Sequence, residues 1–174
     1  MIELFVMEYM TALGMTMVLL FLDSQYPRHR TIPAVYGTMI VAMVAVAIIY
    51  WEAGMETIVR IYPLIVHTPA FLLLLKLSRF RGWRLIFQLF SIILFCALIQ
   101  HGTGLVYYLS GGNVWICILA YVGLTAAVIW FLLRFLRPLF FQTLLELQRG
   151  WWLMCLVLAA YYVIIIYLIP GYVG

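Results

Sequence analysis

Charge is scarce in this chain. Lys, Arg, Asp and Glu make up 9% of its 174 residues, only six of them acids, while 68% of the residues are hydrophobic. A soluble domain carries roughly a quarter charged residues and about half apolar ones. The polar surface needed to face water is missing, so the apolar excess must face lipid. Catalytic spacing is missing too. Neither His67 nor His101 has a Glu beside it or a second His four residues on, which excludes the helical zinc-protease motif. Ser110 precedes Gly111-Gly112 without a nucleophile elbow, and Gly102-Thr103-Gly104 leaves a helical run rather than following a strand, so it is no phosphate loop. Cys96, Cys117 and Cys155 each lie inside an apolar run, with no Cys-x-x-Cys and no Cys/His ligand spacing. They read as small hydrophobes packed among helices. The residues therefore predict no metal, no cofactor and no nucleic-acid partner, and the net charge of +4 belongs to short loops that meet lipid headgroups.

What is present is a series of apolar runs, each near the roughly 20 residues needed to cross a bilayer. They cover about 2–22, 32–51, 57–77, 85–101 (extending toward 109), 114–133 and 151–169. Strands fail on length and on the absence of alternation, so the expected fold is all-α, one transmembrane domain over residues 1–174 with a bundle of six helices. Pro33 sits near the expected first turn of the second run, where a missing N–H costs little. The N-terminal segment has acids where a signal peptide has basic residues, and it reads as a retained first span.

Loop charge predicts orientation. Arg28 and Arg30 follow the first run, Lys76, Arg79, Arg81 and Arg84 the third, and Arg134, Arg137 and Arg149 the fifth. Nine of the ten cations thus fall on one side, leaving Arg60 at the other face. By the positive-inside rule those loops are cytoplasmic, and both termini, including the tail from Pro170, are outside a cell membrane. Trp83, Trp151 and Trp152 would form the inner aromatic belt, and Tyr50, Trp51, Tyr107 and Tyr108 the outer one. The segment 137–150 reads as amphipathic, with Gln142, Glu146 and Arg149 on one face and Phe140, Phe141, Leu144 and Leu145 on the other. It is either an interfacial helix or the cytoplasmic end of a neighbouring span.

The third run carries the polar residues that need a reason. On a regular helix Arg60, Pro63, His67, Ala70 and Leu74 share one stripe, with His67 about 15 Å deep. Pro63 and Pro69 lack N–H groups and free the carbonyls of Val59 and Ile65, which predicts a kinked helix. Glu8 and Thr11 of the first run and Gln100 and His101 of the fourth fall in the same outer half, with Glu52 and Glu56 near Arg60 in sequence. Three roles fit this set. His67 can hydrogen-bond a neighbouring helix while Arg60 snorkels to the headgroups, the group can recognise a ligand, or it can pass ions or protons.

Two stretches resemble a known family. RIYPLIVHTPAFLLLLKLSRFRGWR, and RFLRPLFFQTLLELQRGWWLMCLVLAAYYVIIIYLIP further on, are similar to the membrane sensor region of Gram-positive, clostridial-type GHKL sensor histidine kinases. The resemblance implies the N-terminal multi-helix input module of a bacterial two-component system, binding an extracellular or membrane-borne stimulus such as a peptide or amphiphile. It implies a homodimer by family habit, and a cytoplasmic kinase domain or response regulator as partner where the chain continues past residue 174. The Tyr62-Pro63 to His67-x-Pro69 stretch is the part that carries over. No cytoplasmic phosphoacceptor histidine or ATP-binding domain is present in these residues, and six spans with the N-terminus outside end outside. A kinase would need a seventh span, so the expectation is either a sensor ending one helix early or a complete protein that is not a kinase. On this reading Glu8, Arg60, Pro63, His67, Pro69, Gln100 and His101 are the ligand candidates, and Arg134, Arg137, Gln142, Glu146 and Arg149 the coupling candidates. The alternative, from three spans starting outside followed by three starting inside as in an inverted repeat, is a small six-span transporter or substrate-capture subunit.

Overall fold

The computed structural model describes residues 2–147 and 149–168; the tail from Pro170 and the position 148 of the expected amphipathic segment lie outside the described residues. Apart from short connecting loops the described residues are helical, with α1 (Ile2–Phe21), α2 (Arg28–Tyr62), a π-helical turn (Pro63–His67), α3 (Thr68–Leu77), α4 (Trp83–Leu109), α5 (Val114–Phe131), a second π-helical turn (Leu132–Leu136), α6 (Arg137–Glu146) and α7 (Trp151–Leu168). Among the described residues strand-like pairing is confined to one isolated bridge, Ser24 with Ser78. Among the described residues four helical segments are long and apolar enough to cross a membrane: Leu4–Phe21, Arg28–Leu77, Trp83–Leu109 and Val114–Glu146. The chain is therefore built as a helical membrane protein.

The second of those segments is not straight. Gly54 has φ 77° and ψ 177°, a conformation essentially reserved for glycine, and it interrupts α2. Residues 28–53 rise about 39 Å at 1.5 Å each, and a straight continuation would carry Leu77 still farther away. Instead the Leu77 carbonyl accepts from the Gln25 N–H at 2.9 Å, and the Asp23 carbonyl from the Arg79 N–H at 2.9 Å. The chain has folded back at Gly54, so the end of α3 lies beside the start of α2.

α1 and α4 form the centre. α1 packs on α2, α3 and α4, and α4 packs on α1, α3, α5 and α7. Burial explains the placement: Thr11, Met15, Met17, Val18 and Phe21 of α1 are sealed, although they point around much of the helix. The outward faces of α2 and α5, with Val41, Val44 and Trp51 and with Leu119, Val122 and Trp130, stay exposed. In a bilayer those faces meet lipid, which is as apolar as they are.

Three sequence expectations change here. The second helix begins at Arg28, so Pro33 stands in its second turn instead of opening it. Pro27 caps the helix from an extended conformation, and that moves its start back into the basic loop. Of the two forms expected for the segment after α5, the structure has the extension of a neighbouring helix and not a separate interfacial one, and what changes is its burial. α6 continues α5 through the second π-turn, and only part of its expected apolar face is buried: Phe140 and Leu144 are packed, whereas Leu145 is exposed. Trp151 leaves the aromatic belt, being 5% exposed, with its Nε1–H donating to the Leu147 carbonyl at 3.0 Å and Arg84 lying over its ring. Trp83 and Trp152 remain exposed.

Candidate functional site

A layer of polar contacts crosses the bundle about halfway along α1. The Thr11 hydroxyl donates to the Met7 carbonyl at 2.9 Å and pairs with the Tyr62 hydroxyl at 3.1 Å. Tyr62 meets the His67 ring edge-on, with centroids 6.0 Å apart. Glu8 stands one turn before Thr11 on α1, next to the Thr11–Tyr62 pair. On the other side of α1 the Tyr9 hydroxyl lies 2.6 Å from Thr125 Oγ1 and 3.2 Å from the Tyr121 carbonyl of α5. Glu8 Oε2 is sealed from solvent and has no hydrogen-bond partner among the described residues.

The reason Tyr62 faces α1 is the π-turn. The Thr68 N–H reaches back five residues to the Pro63 carbonyl, so one extra residue is taken up between the two prolines. In a regular helix a step of four residues drifts by about 40° each time. The π-turn takes that drift back, and Ile58, Val66, Ala70 and Leu74 are buried at intervals of four with Tyr62 in the same series. The regular stripe expected through Arg60, Pro63 and His67 therefore does not form. Pro63 is exposed, and Arg60 is exposed too, its guanidinium 2.6 Å from the Glu56 carboxylate one turn away. Pro69 stands in the first turn of α3. Of the expected ligand candidates, Glu8 and His67 come together around Tyr62. Gln100 and His101 are half-buried one turn beyond Cys96 on α4, and His101 is engaged in an interaction of its own.

At the basic end the helices are tied by backbone carbonyls that accept side-chain donors. The Gln88 amide, fully buried, donates to the Phe21 carbonyl at 3.0 Å and accepts from the Ser78 hydroxyl at 3.1 Å. Arg137 Nε donates to the Leu20 carbonyl at 3.1 Å, and its guanidinium lies over Phe141. Arg84 donates to the Leu147 carbonyl at 2.9 Å. These bonds satisfy carbonyls that a helix C-terminus leaves without partners. They also bring the three basic loops to one end. Of the coupling candidates, Arg137 bridges to α1, and Gln142 donates to Glu146 at 2.9 Å on the exposed face. Arg134 lies exposed in the second π-turn and Arg149 exposed before α7.

Gln88, Ser78, Tyr9 and Thr125 escaped the sequence reading. A single Gln or Ser in a helix-rich chain carries no motif; the available signal was only that each is polar within or beside an apolar run. No family model, no curated protein and no solved structure matches this chain.

Proposed function

We propose that the chain is the membrane-embedded input module of a bacterial two-component signalling histidine kinase, lying in the cell membrane as six spans with the N-terminus outside. Folding back at Gly54 supplies the second and third spans, and α7 supplies the sixth. The stimulus is an extracellular peptide or a membrane-borne amphiphile that meets the polar layer at Glu8, Thr11, Tyr62 and His67. One observation carries the reading: α1 presents that layer in its N-terminal half, while the carbonyls of its last turn, Leu20 and Phe21, are held by Arg137 of α6 and Gln88 of α4. A small shift of α1 therefore changes contacts at the cytoplasmic end. Transduction requires the stimulus to bind one packing more tightly than the other. On this reading the module is a homodimer, and a kinase domain or response regulator is its partner only if the chain continues.

The test joins a kinase catalytic domain to the chain through a seventh span. Autophosphorylation is followed in vesicles while peptides and amphiphiles are added to the outer face. Phosphorylation that responds to at least one compound, and loses the response in Arg137→Ala while insertion persists, supports the module. A rate indifferent to every compound sinks it.

A second reading, a small transporter or substrate-capture subunit, is favoured by one feature. Each half places its first helix, α1 or α4, at the centre with later helices of that half packed on it. That arrangement suits inverted repeats working around a midplane site. Accumulation of a compound in vesicles holding only this protein would decide for it.

A further inference from the structure

The Glu8 carboxyl is out of place as it stands. One oxygen, Oε2, is covered and has no hydrogen-bond partner among the described residues, while the rest of the half-buried side chain is open to the surface of the bundle. The neighbouring hydroxyls are already used, Thr11 on Met7 and Tyr62, and Tyr62 on Thr11. Arg60 is the nearest cation along the chain to Tyr62. It stands two positions away, about 200° around the helix, and is spent on Glu56. No other Lys or Arg among the described residues belongs to that half of the bundle. Hydrocarbon offers no water to take the missing partner's place, and a polar group left unpaired there is costly.

We propose that Glu8 and the Tyr62 ring form a binding site for the cationic head of an amphiphile, a long-chain ammonium being the simplest member of the class. The ammonium meets the open side of the Glu8 carboxylate and supplies the donor and the charge partner the group lacks, and the face of an aromatic ring attracts a cation directly. Glu8 lies about 9 Å along α1 from Ile2, so a head entering from that side reaches it while its alkyl tail stays in lipid. Anionic heads are repelled, and neutral heads leave the carboxylate without its charge partner. The proposal deepens the input-module reading and rests on it for the purpose of the site.

The experiment uses the full chain in lipid nanodiscs and follows intrinsic fluorescence as dodecylammonium is added, with dodecanol and dodecyl sulfate as controls. The expected result is saturable binding of the amine alone, weakened at least about tenfold in Glu8→Gln, because a charge-assisted contact is lost. Tyr62→Leu should weaken it about threefold or more through loss of the ring, and Glu8→Asp should retain part of it. Thermal unfolding of each variant without amine establishes that it is folded. Wild-type affinity in folded Glu8→Gln, or equal binding of dodecanol, overturns the site. The kinase fusion separates the two readings. Amine binding with phosphorylation unmoved by any compound leaves the site and removes the module. Phosphorylation that responds to other compounds, with no amine binding, does the reverse.

Discussion

The backbone carbonyl of Leu20 accepts a hydrogen bond from Arg137 Nε at 3.1 Å, joining the last turn of α1 to the first turn of α6. The two residues are 117 positions apart in sequence. The bond makes the α5–α6 rod and the central helix answer to each other at the basic end. Arg137 also stacks on Phe141, so its guanidinium is held on both sides.

Arg137→Met keeps the apolar stem and removes the donor. Because Arg137 is exposed, the loss should be modest, about 1 kcal/mol. For a chain of this size that lowers the thermal midpoint by about 2–4 °C. Arg149→Met, on the same end, should leave the midpoint unchanged. Equal effects from the two would show that charge alone, and not the bond to Leu20, matters.

Gly54→Ala should destabilise the fold by about 1–3 kcal/mol, since the φ 77°, ψ 177° backbone is one that a Cβ disfavours. Nothing crowds the site, so the cost is conformational and not steric. Gly37→Ala is the control. It lies inside α2 with open space around it, and should be neutral or stabilising by about 0.5–1 kcal/mol. Reversible unfolding in detergent measures both. A Gly54→Ala protein as stable as wild type would mean that the fold-back does not depend on this glycine.

Gln88→Leu strands the Phe21 carbonyl and the Ser78 hydroxyl in a sealed position, and should cost about 1–3 kcal/mol. Ser91→Ala removes only a bond to the Phe87 carbonyl within α4, so it should cost well under that. The comparison of their unfolding midpoints tests whether Gln88 is a tie between helices or merely a tolerated polar residue.

Tyr9 and Thr125 should couple across α1 and α5. A double-mutant cycle of Tyr9→Phe and Thr125→Val is expected to give an interaction of about 0.5–1.5 kcal/mol, in the range of hydrogen bonds between membrane helices. Strictly additive losses would mean that the 2.6 Å contact contributes nothing of its own.

Cysteine labelling checks the six-span path. In a chain with Cys96, Cys117 and Cys155 replaced, Ala53→Cys should react with an impermeant maleimide added outside. His29→Cys and Arg81→Cys should react only after the membrane is opened. Labelling of Ala53→Cys from the inner side alone would invert the orientation, and labelling of all three from outside would break the path.

The sequence by itself determined the class and which basic segments share an end. A chain with 9% charged residues and apolar runs near 20 residues long has no soluble alternative. Arg28, Arg30, Lys76, Arg79, Arg81, Arg84 and Arg137 sit in segments that had to meet at one end once the helices alternated, and Asp23–Arg79, Arg84–Leu147 and Arg137–Leu20 record that meeting. Which side of each helix faces its neighbours was decided only by the tertiary structure. Hydrophobic periodicity points inward when the other face meets water, but here both faces are apolar and the pattern is silent. A π-turn between Pro63 and His67 then displaced the one polar stripe that could be read, turning Tyr62 toward Thr11 and leaving Arg60 to Glu56. Trp151 and Gln88 were settled in the same way. Each is buried with its N–H donating to a carbonyl of a turn or another helix, Leu147 or Phe21.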